Sequence, residues 1–371
     1  MYEIGKTIKE GGFGEIKECT HNNKTYVVKV IKLDEDNGID NLLELSIMNN
    51  IKHKNINKAK HIKVENNSIH IYQRKAKCDL YEIYKNKNSK KKIKKWLFDL
   101  THAIGILHHF KIVHCDIKLN NILMSNKDNI KLTDFGEATK LWSKKFRFKH
   151  ETATPRYKPP EILKSELWNE TMDIWSLGCV FFEMWLGKKL FYSNGYDLLA
   201  YIKAQDEFDK FMKDNDHIIV KNNHFKTPNI NKVDVELLGD DLFSLFKRMM
   251  SFNIKERPSC IEILSNPFFD DVRKDKRYRI NTLRDFNMFN VITINSKLLS
   301  NNIILVVITE LSNKIYSYNK DLEIKDNDLK KVSTFIAWKL VKGKYPTKAN
   351  RSLLDNELKI CVNMNYNFFN L

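Results

Sequence analysis

Apolar and polar positions along this chain change their period several times. Two apolar, strand-like segments flank Ile8-Lys9-Glu10-Gly11-Gly12-Phe13-Gly14-Glu15-Ile16, and the β-branched run Tyr26-Val27-Val28 ends on Lys29. From Leu42 to Ile51 the apolar residues recur at helical spacing instead, which predicts an amphipathic helix. A further helix carries Trp96, Leu97, Leu100 and Ile104. Short strands return at Ile122-Leu123-Met124 and in the alternation Asn129-Ile130-Lys131-Leu132-Thr133, on either side of Ser125-Asn126-Lys127-Asp128, which predicts a tight hairpin. After residue 270 the pattern changes again: Asp271 to Arg279 is a charged connector, and the remainder is poor in Gly and Pro with apolar residues at helical intervals. The run Ile303-Ile304-Leu305-Val306-Val307-Ile308 is too short to span a bilayer and predicts a buried helix.

The hairpin brings Asn121 close to Asp134, and the residues around those two carry the chemistry. His114-Cys115-Asp116-Ile117-Lys118-Leu119-Asn120-Asn121 is followed thirteen residues after Asn121 by Asp134-Phe135-Gly136. Phosphoryl transfer from ATP demands positioning and charge neutralisation rather than covalent work by the protein. At this spacing Asp116 would orient a hydroxyl and accept its proton, Lys118 would sit near the transferred phosphate, and Asn121 and Asp134 would offer oxygen ligands to magnesium.

Upstream, the glycines of the first hairpin would let backbone amides approach phosphates without a Cβ in the way. Lys9 occupies the place of the first glycine of the full pattern. Lys29 is the candidate clamp on the α and β phosphates, and Glu44, on the Leu42 to Ile51 helix, is its candidate partner. Each piece alone reads as an ordinary turn, a solvated strand edge or a surface glutamate. Their occurrence in this order between Ile8 and Asp134 is what points to one site.

Over residues 1–270 the chain therefore resembles the eukaryotic protein kinase family. The resemblance implies an α+β, bilobal fold: a β-rich N-lobe over 1–76 and an α-helical C-lobe over 77–270, followed by the 271–279 connector and a small all-α domain over 280–371. It implies ATP and Mg2+ as cofactors, protein substrates, Asp116, Lys118, Lys29 and Glu44 as catalytic residues, and Asn121 and Asp134 as metal ligands. Ile8, Gly11, Gly12, Phe13, Gly14, Ile16, Val27, Lys29 and Leu123 would line the nucleotide. Gln73-Arg74-Lys75-Ala76 would join the lobes, with the backbone of Arg74 and Ala76 bonding the adenine and Gln73 altering access behind it. Ala153-Thr154-Pro155-Arg156-Tyr157-Lys158-Pro159-Pro160-Glu161 is similar to the substrate-binding segment, Asp173 to Cys179 to the helix beneath the catalytic loop, and Arg257 to the arginine that pairs with Glu161. Lys118 with Thr154 is the serine/threonine-type signature.

Lys32 to Ile39, Phe148 to Glu151 and Leu177 to Met184 resemble the cyclin-dependent kinases within that family, with two departures. Lys149 falls where those kinases carry an activating phosphothreonine, and Cys115 replaces the arginine that would bind the phosphate. An arginine without its phosphate would be an unpaired cation. The two changes together predict activity that does not depend on phosphorylation there.

Within 280–371, Asn302 to Tyr318, Val332 to Lys339 with Tyr345-Pro346, and Glu357 to Asn367 look like the first helices of a cyclin box, with Lys339 and Glu357 matching the pair that contacts the kinase. The other reading is a generic helical extension. A cyclin-like unit would press the Glu44 helix inward, docking within one molecule or onto a second one. A nine-residue connector reaches roughly 30 Å at most.

Net charge is +17, but the chain is rich in Lys, Asn and Ile throughout, so acidic or phosphorylated protein partners rank ahead of nucleic acid. The run from Lys85 to Lys95 is expected as a solvated loop and helix start just before Trp96. Six scattered cysteines without metal-ligand spacing suit a reducing compartment. No apolar leader opens the chain, so an intracellular soluble protein, cytoplasmic or nuclear and without membrane contact, is expected. The alternative to an active enzyme is a nucleotide-binding pseudokinase or scaffold with a helical interaction domain.

Overall fold

The computed structural model describes residues 2–11, 14–32, 43–45, 47–49, 51–65, 68–86, 88–140, 155–191, 198–213 and 229–273. These residues belong to two compact units, one running to Lys52 and including Asn57–Lys75, the other made of His53–Ile56 and the chain from Ala76 onward. Gly12, Phe13, Lys149, Thr154 and the cyclin-like stretch 280–371 lie outside the described residues.

The first unit is an antiparallel sheet in the order β1-β2-β3-β5-β4, formed by β1 (Glu3–Gly11), β2 (Gly14–His21), β3 (Lys24–Lys32), β4 (His61–Glu65) and β5 (Ser68–Arg74). Asn22 and Asn23 turn β2 into β3 with φ of 49° and 57°, the left-handed pair that a two-residue hairpin needs and that asparagine tolerates. At Gly14, φ is +115° and a Cβ would come within 2.4 Å of the Val30 carbonyl oxygen, so no other residue fits. Because β3 side chains alternate, Val28 pairs with Tyr72 on one face and Lys29 with Ile71 on the other. The first face is closed by Cys19, Tyr26 and Tyr2, whose ring stacks on Tyr72 at 4.1 Å. On the second, Gln73 reaches the Met48 sulfur at 3.8 Å. The predicted helix is present at Leu43–Leu45 and Ile47–Asn49, with Leu45, Ile47 and Met48 buried.

The second unit is mainly helical. Lys90–His109 begins on Ser89, whose hydroxyl accepts the Lys92 N–H. The helix thus starts within the lysine run, at Lys90, in line with the loop and helix start expected there. Lysine is a good helix former, although cations at a helix N-terminus oppose its dipole. The lysines find partners instead: Lys92 pairs with Asp128, Lys95 with Asp99 and Lys94 with Asp271, while Lys90 lies 4.3 Å over the Trp185 ring.

Thr171–Leu186 runs through the middle of the unit with every residue from Met172 to Met184 buried. Trp175, Phe181, Phe182, Phe191, Phe208, Phe246 and Phe269 are fully buried, each worth about 1.5–3 kcal/mol of transfer free energy. Gly178 allows close packing there, since a Cβ would meet the Met250 sulfur at 2.5 Å. Two small sheets stand beside these helices: β6 (Cys78–Asp79), β8 (Ile122–Met124) and β9 (Ile130–Leu132) in one, β7 (Ile112–Val113) and β10 (Thr139–Lys140) in the other. The β-sheet N-lobe and helical C-lobe expected from sequence are thus both observed.

Candidate active site

In the first unit, the alternation of β3 turns Lys29 toward the Leu43–Asn49 helical residues. Its Nζ lies 2.8 Å from each carboxylate oxygen of Glu44. Lys29 is 7% and Glu44 1% exposed, so each charge relies on the other for its solvation. Ile8, Gly11, Gly14, Ile16 and Val27 lie on β1 to β3, where Lys9 is registered with Ile16, Gly11 with Gly14, and Ile16 with Lys29. Arg74 ends β5 exposed, whereas Gln73 accepts from Asn57 Nδ2 at 2.7 Å. Gln73 is therefore tied into the unit by its side chain.

In the second unit, the loop after β7 is held from below. Asp173, fully buried on the Thr171–Leu186 helix, accepts the His114 N–H at 2.8 Å through Oδ2 and the Cys115 N–H at 3.0 Å through Oδ1. His108 Nε2 meets the same carboxylate at 2.9 Å. The Cys260 sulfur and Asp173 push His108 up to about 10, against the opposing effect of burial. Two amides converging on one carboxylate force a sharp reversal, and Cys115 has φ of 64°.

This reversal delivers Asp116. Its Oδ2 accepts from Lys118 Nζ at 2.7 Å and from Asn121 Nδ2 at 2.8 Å, and Asn121 Nδ2 also bonds the Asp116 carbonyl at 2.9 Å. Burial raises the Asp116 carboxyl above its usual range, partly offset by Lys118, so the carboxylate is more basic than a solvated one. His114 locks the loop to β9: its Nε2 lies 3.1 Å from the Thr133 carbonyl oxygen, its Nδ1 accepts the Asp116 N–H at 3.3 Å, and its ring meets Phe135 at 5.3 Å.

The predicted hairpin forms, with Ile122 opposite Leu132 and Met124 opposite Ile130. It extends to the Thr133 N–H, which bonds the Asn121 carbonyl at 3.0 Å. Asp134 follows immediately in the left-handed region, φ 61°. Leu123, half-buried, sits between Asp79 and Lys131 in the same sheet, and Ala76 precedes it in this unit.

Asn121 bonds Asp116 through its amide nitrogen, and its amide oxygen is a donor atom of the kind that hard cations take. Among the described residues no group of three His, Cys, Asp or Glu is placed to hold a metal ion.

The segment beyond is fixed by two buried acids. Glu161 takes both arms of Arg257, at 2.6 and 2.8 Å, while Arg257 Nε donates to the Ser251 carbonyl and its guanidinium lies 5.2 Å from the Trp175 ring. Tyr157 donates its hydroxyl to Glu183 at 2.6 Å. Burial raises Glu183 to about 7. Sequence reasoning named Arg257 and Glu161 but missed His108 and Glu183, whose signals, a histidine in a helix's last turn and an acid within an apolar helix, are common.

A protein kinase domain model matches residues 2–269. The chain is similar to cyclin-dependent kinase-like 2 of Rattus norvegicus, 26% identical over 288 residues that cover 72% of this chain and 56% of that protein. It is also similar to the serine/threonine-protein kinase ppk23 of Schizosaccharomyces pombe, 26% identical with 74% of each chain covered, and to the CTD kinase subunit alpha of the same yeast, 27% identical with 72% and 48% covered. The chain spans about half the length of the cyclin-dependent kinase-like relatives it matches.

Proposed function

The chain belongs to the protein kinase family, and from that premise we propose that it transfers the γ-phosphate of ATP to serine and threonine hydroxyls of protein substrates. The observation that carries this reading is the Asp116 carboxylate, held by Lys118 and Asn121 through one oxygen and made more basic by burial. Asp116 orients the acceptor hydroxyl and takes its proton as the new bond forms, a contribution of about 10²–10⁴ in rate for a positioned base. Lys118 offsets charge beside it. Asn121 and Asp134 would hold magnesium, which would supply charge neutralisation of the phosphates. Lys29, kept in place by Glu44, binds the α and β phosphates, with Gly11, Gly12, Phe13 and Gly14 covering them. Within the first unit, Ile8, Ile16 and Val27 would face the adenine, and the backbone of Arg74 would bond its edge.

Activity independent of a phosphate between Gly136 and Glu161 belongs to the same proposal, since Cys115 supplies no cation to receive one. A cyclin-like partner, in cis through 280–371 or in trans, is its regulatory extension; a relative that is itself named as a kinase subunit supports it. Among the described residues no helix is long and apolar enough to cross a membrane.

The test is transfer of labelled phosphate from ATP to a mixed protein substrate, with Asp134→Asn as control. Transfer by the unmodified chain that the control lacks is the expected result. A chain that binds nucleotide but transfers nothing would be the scaffold. Loss of activity on phosphatase treatment, restored by rephosphorylation of the segment, would overturn the phosphate-independent part alone.

A further inference from the structure

Glu44 reaches Lys29 only while its helix stays at one depth against the sheet, and a single ion pair fixes only one point of a helix. Met48 stands one turn beyond Glu44 on the same face and is 1% exposed. Its sulfur lies 3.8 Å from Gln73 Nε2. In the sheet, Val27 is opposite Gln73 and Lys29 opposite Ile71, so the alternation of both strands turns Gln73 and Lys29 to one face. Neighbouring strands thus each send a polar side chain to the same stripe of the helix: Lys29 from β3 to Glu44, Gln73 from β5 to Met48.

A side-chain amide beside a thioether has no reason of its own to point its nitrogen there, since sulfur is a weak acceptor. Asn57 supplies the reason. Its Nδ2 donates to Gln73 Oε1 at 2.7 Å, and with the oxygen so engaged the other arm of the amide is aimed at the helix. Gln73 is 7% and Asn57 6% exposed, so water does not compete for these bonds. Burying an amide is costly unless it is hydrogen-bonded, and a buried polar network whose members are satisfied fixes one arrangement of what surrounds it. The helix up to Lys52, β3 and the stretch Asn57–Lys75 all belong to one compact unit.

We propose that Gln73 is a positioning residue for phosphate transfer: oriented by Asn57, its amide holds Met48 and thereby keeps the helix at the depth where Glu44 meets Lys29. The helix then has two anchors one turn apart, an ion pair and an amide contact, both supplied by the sheet beneath it. Only the catalytic consequence rests on the kinase reading above; the tether itself does not.

The experiment uses the full chain and the variants Met48→Leu, Gln73→Leu, Asn57→Leu and the Gln73→Leu/Met48→Leu pair. Met48→Leu removes the sulfur while conserving apolar volume. Loss of one neutral hydrogen bond corresponds to about a three- to tenfold effect. Each single variant is expected to lower kcat by about that factor with KM for ATP unchanged. The double variant should be no worse than the worse of its two singles, because the residues act as a unit. Amide hydrogen exchange at Leu45, Ile47 and Met48 in the chain without nucleotide should quicken by a similar factor in every variant, while β2 exchanges as in the parent. Parent-like exchange in Met48→Leu or Gln73→Leu, or effects that multiply in the double variant, would overturn the tether. A raised KM for ATP at unchanged kcat in Gln73→Leu would overturn the positioning role and assign the residue to nucleotide binding. A parent chain that transfers no phosphate sinks the kinase reading, and the exchange rates still decide the tether.

Discussion

Arg257 grips both carboxylate oxygens of Glu161, at 2.6 and 2.8 Å, in a site where the arginine side chain is 0% and the glutamate 3% exposed. Such a pair repays its desolvation only while both members are present. Arg257→Met therefore leaves a buried carboxylate alone and should cost about 3–5 kcal/mol, read as a lowered urea midpoint. Arg257→Lys, which cannot reproduce the two-armed grip, should recover little of the loss.

Lys29 and Glu44 invite a different experiment, because stability and activity should part company. Lys29→Met strands a glutamate that is 1% exposed, so its unfolding midpoint should fall. Adding Glu44→Leu removes the stranded charge and should return the midpoint toward the parent value. Phosphate transfer should stay lost in both. A double variant as unstable as the single would contradict the pairing.

Asp116→Asn keeps an oxygen to accept from Asn121 but loses the basic carboxylate. Expected is a fall in kcat of about 10²–10⁴, with KM for ATP and the thermal midpoint near those of the parent. Equal losses in KM and kcat would mean that the residue serves binding instead.

Glu183 predicts a pH dependence. Its folded pKa of about 7 lies above the 4.5 of a solvated glutamate, so the folded state binds the proton more tightly than the unfolded one. Stability from this group is greatest below the unfolded value and falls as pH rises between 4.5 and about 7, by up to about 3 kcal/mol. Denaturation at several pH values should show the decline, and Glu183→Gln should flatten it. A parent profile level over that window would refute the prediction.

The sequence carried the order of strands and helices because period-2 and helical spacings are local. It carried Lys29 with Glu44, Glu161 with Arg257, and Asp173 beneath the loop because the family's motifs name them across long separations. A helix start within the Lys85 to Lys95 run was legible too, and the structure sets it at the capping Ser89. Gln73, expected to alter access behind the adenine, has its side chain tied to Asn57 and Met48, partners that no local pattern names.

Asp173 holds the catalytic loop by the amides of residues 114 and 115, and amides are the same whatever side chain follows them. The turn is therefore held through its backbone, and that hold draws on nothing from the side chain at position 115.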